Sequence, residues 1–387
     1  MKEEHIKQII EKYNTPAYIF DINKAQKRIK YLREQLPQNV QLCYAIKANT
    51  FIIKDIEKNI DRFEVCSPGE YEICKNMEIE PEKILISGVY KTPEVIKKMI
   101  SKEEKINCYT IESIEQFELL KELSKNHKIK IMIRITSGNQ FGINESEAEQ
   151  IIKENAKYEN LEIIGIQYFA GTQKNSIKLL KKEIEYIDEF AIKMYEKYKF
   201  TVKEIEFGPG FPVYYFKNTE FDEETFLKEF SEIIENMKFN GKIILELGRS
   251  ISASCGNYIT KVVDLKINKE QKYAILDGGI HHIVYYGQSM AMKIPKCEIY
   301  PYRENTGDEK WNLCGSLCTI NDILVKQFPV SNLKVGDIFI FENTGAYCMT
   351  EGISLFLSRE LPQVIKIKED NTLELIRENI PTYKFNM

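Results

Sequence analysis

At 387 residues the chain is longer than one hydrophobic core ordinarily organises, so one large and one smaller domain are expected. Its 43% hydrophobic and 29% charged residues set aside a disordered chain, and the formal charge of −4, with Lys and Glu interspersed, offers no basic face for nucleic acid or an anionic membrane. The opening MKEEHIKQIIEKYNTPAYIF has acidic residues and no apolar core of signal-peptide length, and no run nears the roughly 20 apolar residues of a membrane span; a cytoplasmic location is expected.

Taken in order, PAYIFD at 16–21 reads as a strand and 23–35 as an amphipathic helix. Eight short apolar runs follow: LCYAIK (42–47), FEVC (63–66), ILIS (84–87), NCYTI (107–111), KIMIRI (130–135), EIIGIQYF (162–169), KEIEFG (203–208) and KIILELG (242–248). Each is too apolar and too short for a surface helix, and reads as a strand buried on both faces. Stretches of helical period separate several of them, at 113–124, 145–156, 176–197 and 222–237. Eight such units predict an α/β fold, a closed (β/α)8 TIM-type barrel over 23–257; an open doubly wound sheet is the alternative that the pattern leaves.

From about residue 258 the runs NYITKVVDLKI, KYAILDGG, IHHIVYYG, KCEIYPYR, DILVKQFPVS, GDIFIFEN and PQVIKIKE are strand-like, with turn residues between them. A C-terminal β domain over 258–387 is expected, with residues 1–22 joining it through PAYIFD. The nine cysteines form no C-x-x-C pair, and their odd number argues against a closed disulfide framework. Cys43, Cys66 and Cys108 lie in apolar runs and read as small hydrophobes.

Reactive groups of such a barrel collect at the C-terminal strand ends, where the polar exceptions stand. Lys47 ends the first run, Glu64 lies in the second and Ser67 follows it, Arg134 is in the fifth, and Phe169 ends the sixth. A Gly208-Pro209-Gly210 turn follows the seventh, and Glu246 and Arg249 close the eighth. A lysine ending a buried strand is the least ordinary, because an unpaired buried ammonium is costly and is therefore paired or functional.

The string YAIKAN at 44–49 closely resembles the lysine motif of the fold-type III, alanine-racemase-like pyridoxal-phosphate decarboxylases, which include the diaminopimelate, ornithine and arginine enzymes. Further segments stand in family order: TPAYIFD, EVCSPGEYE (64–72), IRITSGNQFGI (133–143), GIQYFAGTQ (165–173), FGPGFPV (207–213), ELGRSISASCG (246–256), CGSLCTINDIL (314–324) and NTGAYCMT (343–350). The resemblance implies an amino-acid decarboxylase using pyridoxal 5′-phosphate. Lys47 would hold the cofactor as a Schiff base, and Glu246 would keep the pyridine nitrogen protonated so that the ring is an electron sink. Gly208 and Gly210 would bring backbone N–H groups to the phosphate, with Thr172 and Tyr347 adding hydroxyls. Glu64, Phe169, Gly248 and Arg249 would complete the cofactor site, Arg249 serving phosphate or substrate carboxylate. Cys318 would protonate Cα after CO2 leaves, supplied across a two-fold homodimer.

The departures from the family bear on substrate. The acidic residue after the cysteine, which contacts a distal amine in family members, is Thr319 here, and a second aspartate is replaced by Tyr286. Ornithine or lysine would leave its second charge unpaired. Phe169 stands where a histidine usually stacks on the ring. Tyr286, Thr319 and Asp322, with Arg249 and Tyr347, are therefore the expected substrate-binding set, for a small-molecule amino acid or a modified, carrier-protein-linked one. His281-His282, read as adjacent on a strand, would face opposite ways, and no metal site is expected. A racemase on the same barrel is the second reading and an inactive cofactor- or partner-binding homologue the third. The CGSLCTIND segment, for which racemases have no call, argues against the second. Intact Lys47, Glu246, Gly210, Cys318 and Tyr347 argue against the third.

Overall fold

All eight runs become strands of one closed parallel barrel. In the computed structural model, which describes residues 2–102 and 104–387, β1 (Ala17–Asp21) lies outside it. The barrel strands are β2 (Val40–Ala45), β3 (Arg62–Val65), β4 (Ile84–Ile86), β5 (Cys108–Ile111), β6 (Ile129–Ile135), β7 (Leu161–Phe169), β8 (Glu204–Gly208) and β9 (Lys242–Leu247). They pair in sequence order, and β9 closes back on β2 with Cys43 opposite Glu246. The fold is thus α/β, a (β/α)8 barrel with a separate β unit, and the open sheet is set aside.

Side-chain caps at helix starts explain why the chain leaves each strand cleanly. Ser67, Ser113, Ser176 and Asp222 each accept a backbone N–H of the following helix, and Asn144 opens a full capping box with Glu147. Each such cap contributes about 1 kcal/mol. The helices Pro68–Asn76 and Pro93–Ser101 lack a long apolar period, being nine residues each, but each begins with the proline that favours a first helical turn.

The barrel lumen is not wholly apolar. Arg62 of β3 donates to Glu206 of β8 at 3.0 Å and to Glu204 at 2.7 Å. β3 and β8 are not neighbours, so these side chains meet through the interior. Lys242 on β9 also reaches Glu204, at 3.0 Å. The layer therefore sets cationic groups against carboxylates that burial alone would leave unpaired.

The second unit comprises the chain up to Arg28, Val213–Phe221 and Ser252–Met387. Its other strands are β10 (Gly256–Asn268), β11 (Gln271–Leu276), β12 (Cys297–Tyr300), β13 (Glu309–Cys314), β14 (Ile323–Val330), β15 (Ile338–Glu342), β16 (Gln363–Ile367) and β17 (Leu373–Arg377). β1 pairs antiparallel with β10 and parallel with β16, so PAYIFD is an interior strand of this sheet. Ile6 and Ile9 of the helix Glu3–Lys12 pack on the same core as Ile19, Ile259, Ile340 and Ile365.

Three expectations are corrected. The segment Val213–Phe221, inside the span read as barrel, clusters with the second unit; its Phe216 bridges to Pro295, and Lys296 N–H donates to Tyr215 O at 2.8 Å. IHHIVYYG is not a strand: His282 and Ile283 N–H both bond Gly279 O, the chain turns, and the two imidazoles lie 3.7 Å apart instead of facing opposite ways. β13 and β17 escaped notice because WNLC and LELIR carry no clear alternation.

Replacing Arg62 by Met should cost about 3–5 kcal/mol in urea unfolding, because it leaves Glu206 in the lumen without its cation. Adding Glu206→Gln to that variant should recover a substantial part. An Arg62→Met protein as stable as the parent would show that this layer carries no stability.

Candidate active site

The strand β2 stops one residue pair short of its expected end. Ala45 is its last residue, and Lys47 sits in a single 3₁₀ turn, Ile46–Ala48, at the mouth of the barrel. Asn49 starts the next turn by accepting Phe51 N–H at 2.9 Å, so the backbone on both sides of the lysine is fixed. The lysine side chain is 38% exposed, whereas its carboxylate partners Glu64 and Glu246 are buried at 3% and 11%. One amine thus meets solvent and two buried acids at once.

The Lys47 ammonium is in direct contact with Glu64 and lies 3.8 Å from Glu246 Oε1. Cys66 Sγ is 3.5 Å from the same nitrogen, and its thiol donates to Glu64 Oε1 at 3.2 Å. Burial pushes the Glu64 carboxyl up, but the Lys47 charge and hydrogen bonds from Lys47, Glu246 and Cys66 outweigh it and hold the group at about 2. Glu246 goes the other way. Burial raises it well above the usual carboxylate range, the Glu64 charge adds to this, and Lys47 offsets only part. Glu64 is thus held in its ionised form, while burial and the Glu64 charge bias Glu246 toward its protonated one.

Beside them, Gln167 on β7 donates through Nε2 to Glu246 Oε2 at 3.2 Å and to Glu206 Oε1 at 2.8 Å. Its own amide oxygen is buried with no partner among the described residues, at a cost of about 1–3 kcal/mol. Sequence reading passed over Gln167, Glu206 and Arg62. The available signal was a polar residue within runs otherwise apolar, alternating at Arg62 and Glu64 and at Glu204 and Glu206 but isolated at Gln167.

The loops after β7 and β8 lock together. Lys174 N–H donates to Gly210 O at 2.9 Å, and Lys174 Nζ reaches Glu183 at 2.5 Å. Gly210 has φ +61, and a Cβ there would lie 2.2 Å from Gly171 O. At Gly208 a Cβ would meet the Phe169 ring at 2.4 Å, so this glycine is required by Phe169. Phe169, Thr172, Gly208 and Gly210 are therefore brought together, and Gly248 and the largely buried Arg249 follow β9 at the same end of the barrel. Arg134 is committed elsewhere, to Glu112 at 2.9 Å and to the face of Phe141. A second lysine missed from sequence, Lys91, is buried and lowered to about 8 by desolvation; it donates to Gly88 O and Gln116 Oε1.

The remaining expected residues belong to the β unit. Cys318 is exposed in the loop between β13 and β14, with Thr319 beside it. Asp322, expected to meet substrate, is instead buried and holds that loop: Oδ1 accepts Ile280 N–H at 2.8 Å, and Oδ2 accepts Leu317 N–H at 2.7 Å. Tyr286 is 43% exposed, and Tyr347 adopts φ +64. His282 uses both ring nitrogens, on Tyr258 and on Glu360 O.

The family model described as "Pyridoxal-dependent decarboxylase, pyridoxal binding domain" matches residues 22–253. The chain is 27% identical to an L-glutamyl-[BtrI acyl-carrier protein] decarboxylase of Niallia circulans, over 97% of this chain and 94% of that one. It is 26% identical to a 2-[(L-alanin-3-ylcarbamoyl)methyl]-2-hydroxybutanedioate decarboxylase of Staphylococcus aureus, over 91% and 95%. A diaminopimelate decarboxylase of Helicobacter pylori, solved with L-lysine, shares the fold at a TM-score of 0.85, 21% identity and 98% coverage of both chains.

A proton retained by folded Glu246 has a thermodynamic signature. In the chain freed of bound small molecules, the folded group titrates above the unfolded value of 4.5, so its contribution is complete below pH 4.5 and is lost as pH rises. Glu246→Gln lacks that loss. Its stability relative to the parent should climb between pH 4.5 and 7.5, by at most about 1.4 kcal/mol per pH unit. Parallel stability curves in urea would contradict the assignment.

Proposed function

Because the chain belongs to the pyridoxal-dependent decarboxylase family, we propose that it removes CO2 from an amino acid whose far end is acylated or joined to a carrier. It is a carboxy-lyase that uses pyridoxal 5′-phosphate. The residues present fit the cofactor. Lys47 offers a reachable amine, and Glu246 presents a largely buried carboxyl 3.8 Å from it, raised above the usual carboxylate range by burial. The Gly210 turn leaves backbone where a side chain would collide.

Bound pyridoxal phosphate supplies an electron sink for the pair left on Cα when CO2 departs. Lys47 would hold it through its aldehyde, and Glu64 would keep the Lys47 nitrogen in place whenever the lysine is unbound. Glu246 would serve the ring nitrogen as its carboxyl partner. The backbone of Gly208 and Gly210, with Thr172 and Tyr347, would hold the phosphate, as would Gly248 and Arg249. Phe169 would offer the ring an apolar platform that can carry no proton. Cys318 returns a proton to Cα from the partner protomer of a homodimer. Its exposure on a loop that Asp322 braces supports this reading.

The observation that carries the substrate assignment is Thr319. The residue following Cys318 is a neutral hydroxyl, with no carboxylate for a distal ammonium. The Niallia circulans enzyme acts on a glutamyl group joined to a carrier, and the Staphylococcus aureus enzyme on an alanyl group joined through a carbamoyl link. In both names the amino acid is part of a larger conjugate and not free. Among the described residues no cysteine is in a disulfide, which supports work in the reducing cytoplasm.

Release of CO2 from a panel of free and acylated amino acids tests this. Side-chain-acylated or carrier-linked substrates should exceed free lysine, ornithine and diaminopimelate in kcat/KM by roughly a hundredfold or more, the expected penalty for an unpaired charge. Ordinary turnover of a free diamino acid would overturn it. Lys47→Ala should lose the visible absorption of the bound cofactor and the borohydride-fixed adduct.

A further inference from the structure

The register of the barrel sets Gln167 between two layers of polar groups. Gln167 pairs with Glu206 on β8, and Glu206 lies across from Ile244 on β9, so Glu246 stands two residues nearer the barrel mouth. One amide nitrogen reaches both carboxyls, at 2.8 Å and 3.2 Å. Below, Glu206 is fixed by Arg62 at 3.0 Å, and Arg62 in turn holds Glu204 at 2.7 Å. Above, Glu246 has one oxygen on Gln167 and turns the other, Oε1, toward Lys47.

We propose that Gln167 is the positioning residue of Glu246. Anchored on the Arg62–Glu206 pair, it fixes which carboxyl oxygen faces the cofactor's ring nitrogen. The inference rests on Glu246 being the group that meets that nitrogen. Three features support it. The amide turns its NH2 toward both acids and donates to each from one nitrogen. That orientation leaves Gln167 Oε1 buried without a partner, an arrangement that an apolar residue of equal size would avoid. Gln167 is itself 1% exposed, so water does not compete with the two carboxyls for its amide. Holding a carboxyl by one oxygen restricts its rotation, which orients a catalytic group without altering its identity.

Gln167→Met keeps volume and removes the donor; Gln167→Leu serves if the first fails to fold, and Glu206→Gln removes the charge that anchors the amide. In the holoenzyme, with the best substrate of the CO2-release panel, kcat should fall by about tenfold to a hundredfold, the usual scale of a misplaced group, while KM changes less than twofold. Cofactor dissociation, followed by its absorbance after dialysis, should strengthen in the same variants, and the visible band of the bound cofactor should shift. Urea midpoints should stay equal or rise, since an unsatisfied oxygen is removed. A Gln167→Met holoenzyme with parental kcat, spectrum and cofactor retention would overturn the proposal. Glu246→Gln separates the two claims. If it also leaves spectrum and retention unchanged, the reading of Glu246 itself has failed; if it impairs them while Gln167→Met does not, only the role of Gln167 has failed.

Discussion

One ammonium stands before two buried carboxyls, and it can neutralise only one of them. Lys47 lies in contact with Glu64 and farther from Glu246, and that difference in distance divides the roles. The nearer acid is driven to its charged form, while burial, with the Glu64 charge adding to it, raises the farther one well above the usual carboxylate range. The same carboxyl type thus becomes a fixed counter-ion in one place and a proton store in the other. The arrangement depends on where β2 ends. A strand continued through residue 47 would reorient this amine relative to both acids.

A closed barrel of eight strands makes such an arrangement affordable. Every second residue points inward, so polar groups from strands far apart in the sheet can meet without loops. Arg62 and Glu206 meet in this way, and so do Glu64 and Glu246. The lower layer is balanced by its arginine and gives a rigid floor. The upper layer is left short of positive charge, which suits a site that receives a cationic ring nitrogen. Gln167 connects the two.

Much of this was legible in the residues. Eight apolar runs gave the barrel, and PAYIFD was correctly expected in the second sheet. Lys47, Glu64 and Glu246 were chosen as polar exceptions in apolar strands, and they converge. Gln167 and Glu206 were exceptions of the same kind, yet an uncharged amide or a glutamate within a Lys/Glu-rich chain attracts no notice without knowledge of its partners. Asp322 was read through its neighbours in sequence; its real partners, Ile280 and Leu317 N–H, include one forty-two residues away. His281 and His282 were misread because hydrophobic composition suggested a strand where Gly279 imposes a turn. Local pattern reveals elements and their faces, whereas long-range hydrogen bonds become visible only once the register is known.

The placement of β1 has a consequence for synthesis. It is made before the barrel, yet it lies between β10 and β16, both of which are made after it. Residues 29–212 and 222–251, by contrast, contain everything the barrel needs. On the ribosome, the barrel can close while the first strand still waits for its neighbours, exposing Ala17 to Phe20 as an unpaired apolar edge. The acidic and basic face of the helix Glu3–Lys12 travels with that edge and gives it a soluble flank during the wait.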